Sequence, residues 1–75
     1  MFSKFRQDVK ILLHGNNMTY SQISEKTGIA ESTIKCFMCG ASDSRRIAEC
    51  ISDVLGCELI YSNGIYMIKD KKDDV

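Results

Sequence analysis

The chain predicts a mainly α fold, four helices closed by a C-terminal β-hairpin, and three observations carry that expectation. Apolar residues recur at three- and four-residue steps through four separate stretches, which is the helical period. A glycine follows each stretch, at Gly15, Gly28, Gly40 and Gly56, where a helix has to stop. After Cys57 the period changes to alternation around Asn63-Gly64, the pair that two-residue hairpin turns favour. Seventy-five residues make one domain. It is expected to occupy residues 1–69, with a charged, flexible tail at 70–75. A core this small is marginal, which leaves room for stabilisation by a second subunit.

The first helix is expected from about Ser3 to His14, with Phe2, Phe5, Val9, Leu12 and Leu13 as its apolar stripe. Gly15-Asn16-Asn17 then turns the chain. Thr19 is a natural N-cap, Gln22 three residues on completes a capping box, and Met18 just before the cap is placed as a hydrophobic staple. Ile23 points inward from the second helix, which ends at Gly28, where positive φ costs glycine little. Ile29 fills the space under the turn, and Ile34 and Phe37 form the buried stripe of the third helix. A fourth helix begins near Asp43 or Ser44 and ends at Gly56, with Ile47, Ala48, Ile51, Val54 and Leu55 facing in. The hairpin spans 57–69. An Asn63-Gly64 turn pairs Ser62 with Ile65, Tyr61 with Tyr66, Ile60 with Met67, Leu59 with Ile68, and Glu58 with Lys69, the last a match in charge. Leu59, Tyr61, Tyr66 and Ile68 then share one face, while Ile60, Ile65 and Met67 share the other. Both faces are apolar, and the helices of one chain cover only one, so Ile60, Ile65 and Met67 are expected to meet a second copy in a homodimer.

Residues 19–40 form the pattern of a helix-turn-helix, whose second helix can enter a DNA major groove. Glu31, Ser32, Lys35 and Cys36 lie on the outer side of that helix. Arg45 and Arg46 stand in the first turn of the fourth helix, where the helix dipole disfavours cations. Either a phosphate backbone or pairing with Asp43 or Glu49 accounts for them. Charge opposes this reading in part, because ten basic and ten acidic residues cancel. The distribution is polarised. Residues 1–40 hold five basic and three acidic side chains, a surplus of two, and residues 41–75 hold five and seven, a deficit of two. Non-specific affinity for DNA should accordingly be weak.

From Met18 to Leu55 the sequence resembles the Cro and lambda-repressor (XRE-type) regulators. The matching positions are Thr19, Ser24, Gly28, Ser32-Thr33-Ile34, Gly40 and Leu55-Gly56. The resemblance implies a four-helix, lambda-repressor-like helix-turn-helix domain with a C-terminal β-hairpin that mediates dimerisation. It implies a transcriptional regulator of bacterial or phage and mobile-element type, a dimeric repressor on a palindromic operator in double-stranded DNA. Glu31, Ser32, Lys35 and Cys36 would then face base edges. Thr19, Tyr20, Thr33, Arg45 and Arg46 would hold phosphates. The departures are specific. Tyr20 stands where the family often has Gln, Ala30 where it has a capping residue, Glu31 where Gln reads adenine, and Cys36 where Arg is common. A glutamate accepts from cytosine N4 but lacks the bidentate pattern for adenine. The bland roles are helix-dipole support for Glu31, a solvated face for Ser32 and Lys35, and packing for Tyr20.

Four cysteines raise the question of a metal, with Cys36-Phe-Met-Cys39 a C-x-x-C and Cys50 and Cys57 as further ligands. The first pair lies on a helix rather than in a knuckle loop, and the second is seven residues apart. Free thiols acting as small buried hydrophobes are therefore expected, with no metal and no cofactor. His14 has no nucleophile arranged with it, and no Gly-rich phosphate loop is present, so no catalytic residues and no enzyme are expected. The N-terminal MFSKFRQDVK is amphipathic rather than signal-like and no apolar run spans a bilayer, which points to a cytoplasmic protein with reduced thiols and no membrane partner. The competing function is a protein-binding module on the same fold, such as a phage inhibitor of a host defence nuclease, one that could also repress its own operon. Neutral charge, Glu31 and the two-faced hairpin favour it.

Overall fold

Phe2, Phe5, Val9 and Leu13 fall on one side of a helix, and in the structure that side is closed to solvent. The structure is a computed structural model and describes residues 1–70. Its elements are α1 (Ser3–Gly15), α2 (Tyr20–Thr27), α3 (Glu31–Met38), α4 (Arg45–Val54), β1 (Cys57–Ser62) and β2 (Ile65–Asp70). The hairpin rests on the helices, β2 against α1 and β1 against α4, while α2 packs on both α3 and α4. One core joins them, built from Phe2, Phe5, Val9, Leu13, Ile23, Ile34, Phe37, Met38, Ala48 and Ile51. No helix among the described residues is long and apolar enough to cross a membrane.

The start of α1 has no side-chain cap. Phe2 occupies the N-cap position and buries its ring instead, stacked on Tyr66 at 4.5 Å and edge-on to Phe37 at 5.1 Å. A missing cap costs about 1 kcal/mol, whereas burying a phenyl ring contributes about 2–3 kcal/mol. The apolar residue wins at that position. The backbone follows the ring, since the Tyr66 N–H donates to the Met1 carbonyl at 2.9 Å. The N-terminus thereby satisfies an outward-pointing amide of β2 that the hairpin leaves open.

The hairpin has the register expected from its turn, from Ser62↔Ile65 to Glu58↔Lys69, and extends one pair further to Cys57↔Asp70. Asp70 is therefore the last residue of β2 rather than the first of a tail. The rest of the expected tail, 71–75, lies outside the described residues. Asn63 and Gly64 both take positive φ, 52° and 78°, as a type I′ turn requires. Leu59, Tyr66 and Ile68 pack against the core. Tyr61 shares their face but is 59% exposed, its ring resting against Tyr66 at 4.7 Å. Ile60 and Met67, half-buried, and Ile65, exposed, lie on the opposite face and take no part in the core.

Two local details depart from the sequence expectation, at Gly15 and Ser52, while the start of α4 follows it. Gly15 closes α1 as an ordinary helical residue, and the left-handed position of that turn is Asn17, with φ 52°. Asparagine tolerates it because its short polar side chain bonds locally. Helix α4 begins at Arg45, capped by the Ser44 hydroxyl, which accepts from the Ile47 N–H at 3.3 Å. Ser52 is buried on α4, its hydroxyl satisfied by donating to the Ala48 carbonyl at 2.8 Å.

Arg6 is the contact that sequence reading counts only as a charge. Its Nε donates to the Phe37 carbonyl at 2.6 Å and its Nη2 to the Ser42 carbonyl at 3.0 Å and to Asp43 at 2.9 Å. The guanidinium also lies 4.9 Å from the Phe37 ring centroid. Its side chain is 16% exposed while that of Asp43 is 61% exposed, so the carbonyl bonds outweigh the screened ion pair. Arg6→Met is expected to lower stability by about 2 kcal/mol and Asp43→Asn by less than about 1 kcal/mol, read as shifts in the urea unfolding midpoint. Equal losses would make the ion pair the dominant contact.

Candidate nucleic-acid interface

The α2–α3 pair is set by its ends. The Thr19 hydroxyl accepts from the Gln22 N–H at 3.2 Å, and the Gln22 side chain accepts from the Thr19 N–H at 2.9 Å, a complete capping box. Met18 packs against the core beside it. At the other end of α2, Gly28 takes φ 80° and its N–H donates to the Ser24 carbonyl at 2.9 Å. The turn is tied again by side chains, with the Ser24 hydroxyl donating to the Ile29 carbonyl at 2.6 Å and the Ile29 N–H donating to the Thr27 hydroxyl at 3.1 Å. Three residues, Gly28, Ile29 and Ala30, separate the two helices.

Helix α3 buries Ile34, Phe37 and Met38 completely or nearly so. The opposite side carries Ser32, Thr33, Lys35, Cys36 and Cys39, all exposed, with Glu31 half-buried at the N-terminal end. Ala30 caps the helix without a side-chain bond. The C-terminal end is closed by a Schellman motif: Ala41 N–H donates to the Cys36 carbonyl at 2.9 Å and Gly40 N–H to that of Phe37 at 3.2 Å. Gly40 accordingly takes φ 91°.

The structure thus places Ser32, Thr33, Lys35 and Cys36 together on one exposed helical surface, with Glu31 at its edge. Lys35 is not free on it. Its ammonium lies 3.2 Å from the Glu31 carboxylate, one turn back. Arg45 pairs likewise with Glu49 at 3.1 Å, while Arg46, in the same first turn, forms no ion pair among the described residues. Both pairs are exposed and i,i+4, each contributing a few tenths of a kcal/mol, so a phosphate can displace them. Thr19 is exposed at the α2 cap, and Tyr20 packs against the core from the first helical position. Thr19, Tyr20 and Glu31 line a shallow cleft with Lys10, Leu13 and Met18, where α1 meets the starts of α2 and α3.

The expectation of four buried cysteines is corrected. Cys57 is buried and Cys50 half-buried, but Cys36 and Cys39 are exposed. They stand across the helix from the Ile34–Phe37–Met38 stripe, so the periodicity that buries those three turns the cysteines outward. Met38 and Arg6 are the positioning residues that sequence reading passes over; Arg6 is flanked by the Phe2–Phe5–Val9 stripe, which is the one signal of a half-buried cation there.

No protein-family model, curated protein or solved structure matches the chain.

A Cβ at residue 28 would meet nothing within 4 Å, so substitution there is strained by conformation alone. Gly28→Ala is expected to lower stability by about 1 kcal/mol, and Gly28→Asn by less, measured as midpoint shifts in thermal unfolding. An unchanged midpoint for Gly28→Ala would mean that the α2–α3 turn does not need positive φ.

Proposed function

We propose that this chain is a sequence-specific double-stranded-DNA-binding regulator, a dimeric repressor of the bacterial or phage and mobile-element type. Residues 19–40 serve as a Cro- or lambda-repressor-like helix-turn-helix. The observation that carries the reading is α3. It is an eight-residue helix closed at its C-terminal end by a Schellman motif, fully buried on one side, and lined on the other by short polar residues and one lysine. Short side chains let a helix approach base edges closely in a major groove. Ser32, Lys35, Cys36 and Glu31 face the bases, Glu31 accepting from cytosine N4. Thr19, Tyr20, Thr33, Arg45 and Arg46 hold phosphates and set the register. The uncovered hairpin face of Ile60, Ile65 and Met67 closes the dimer, and blocking polymerase is the simplest route to repression.

Selection from random duplexes at physiological salt is expected to enrich a palindrome whose half-sites lie about 34 Å apart, one helical turn. Lys35→Ala is expected to weaken binding to that site and to reduce its salt slope by about 1. Unaltered affinity would remove Lys35 from the contact set. Ile60→Lys and Met67→Lys are each expected to convert a dimer to monomer in size exclusion with light scattering, and a monomeric wild type would sink the hairpin interface.

A second reading, a protein-binding module on the same scaffold, is favoured by one observation. The exposed cations Lys35 and Arg45 are both neutralised by carboxylates of their own helix. A folded protein that enriches no duplex would transfer the function to that reading.

A further inference from the structure

Free cysteines are among the most buried residue types and behave as small hydrophobes. Cys57, 3% exposed, follows that rule. Cys36 and Cys39 do not. Both are exposed at the C-terminal end of α3, and neither belongs to the core, so packing supplies no reason for two thiols there. Residues three apart on a helix share a face, and the Cys39 thiol folds back along it, donating to the Cys36 carbonyl at 3.4 Å. Among the described residues no three His, Cys, Asp or Glu side chains gather as metal ligands. A disulfide fits poorly. It needs Cβ atoms about 3.5–4.5 Å apart, against about 5–6 Å for helical neighbours. Closing that gap would distort a last turn in which the Cys39 N–H donates to the Lys35 carbonyl at 2.9 Å. One soft ion bridging two sulfurs spans the wider gap, and soft thiolates select Cu(I).

We propose that Cys36 and Cys39 form a two-thiolate clamp for Cu(I) on the outward side of α3. Two Cu–S bonds form, two S–H bonds break, both protons leave to solvent, and no oxidation state changes. The loaded site carries one net negative charge where neutral thiols stood. On the proposed DNA-facing surface that charge opposes the phosphates, so loading releases the duplex. The release rests on the DNA-binding reading; the clamp does not.

The clamp is tested on the reduced full chain, titrated anaerobically with Cu(I) against a chromophoric chelator, without DNA. One Cu(I) per chain is expected, with thiolate-to-copper absorption in the ultraviolet. Cys36→Ser and Cys39→Ser are each expected to weaken loading by roughly 10²-fold, the advantage that chelation by a second thiolate confers. Cys50→Ser leaves it unchanged. Circular dichroism checks that each variant folds. Full affinity in either single variant, or half an equivalent of copper bridging two chains, would overturn the clamp. For the release, copper is expected to free wild type from its selected duplex but not Cys39→Ser. Retention of loaded wild type would overturn the release, whereas a copper-free protein that no duplex retains marks failure of the DNA-binding reading.

Discussion

The orientation of α3 depends on the guanidinium of Arg6. An eight-residue helix is too short to persist alone in water, and α3 starts at an alanine cap that contributes no side-chain bond. Its far end is where it is fixed. Arg6 reaches the Phe37 carbonyl in the last turn of α3 and the Ser42 carbonyl and Asp43 in the following loop, bracing two segments from a third. Lysine could not do this as well, because a compact ammonium lacks the planar fork whose donors point in several fixed directions. The rings of Phe2 and Phe37 flank the same guanidinium, at 5.8 Å and 4.9 Å from their centroids. Part of the cost of desolvating the charge is offset by those ring faces.

Turns and caps were the most legible parts of the chain because their chemistry is local. Thr19 with Gln22, Gly28, Gly40 and Asn63-Gly64 each announce a backbone conformation that few other residues adopt cheaply, and each takes the expected one. The hairpin register followed from a two-residue turn and a charge match, since a period of two allows no half-measures. Gly15 and Asn17 show the limit of that logic. Glycine permits positive φ without requiring it, and a neighbouring asparagine took the position instead. Contacts between distant residues were illegible. Nothing in a string marks the carbonyls that Arg6 finds 31 and 36 residues away, or the packing that closes over Ser52. Of the candidate interface, the exposure of Ser32, Lys35 and Cys36 followed from helical periodicity, whereas the pairing of Lys35 with Glu31 depended on rotamers. The outward turn of Cys39 was legible in principle and was masked by the general tendency of free cysteine to be buried.

Several cations of the basic half are already paired within the chain, Lys35 of α3 among them. In the basic half of the chain Lys4 is paired with Asp8, Arg6 with Asp43 and Lys35 with Glu31, which leaves Lys10 and Lys26 without ion pairs among the described residues. Few counterions would be released on meeting a duplex, so the sequence-independent part of binding is small. On the proposed reading, what remains is the match between short polar side chains and base edges. A lysine that must leave a carboxylate one turn away gives up a few tenths of a kcal/mol at any site it meets. The same neutrality would serve a protein partner, where charge unpaired at the centre of an interface is a cost.

Helix α1 is the mount that relates the hairpin to α3. Phe2 and the Met1 carbonyl fix β2 at one end of it, through a stacked ring and a backbone bond to Tyr66. One turn on, Arg6 fixes the C-terminal end of α3. The two attachments lie on the first two turns of one helix, so α1 touches both the hairpin and the C-terminal end of α3. On the proposed reading, a dimeric reader would use that connection. If two copies close on Ile60, Ile65 and Met67, the separation of their α3 helices is set by rigid packing rather than by a linker, in a molecule whose longest dimension is 35 Å. A spacing near one turn of DNA, about 34 Å, is of the same size as the chain itself. On the proposed DNA-binding reading, loosening either attachment would change half-site spacing as well as stability, since Phe2 belongs to the core and Arg6 braces the end of α3.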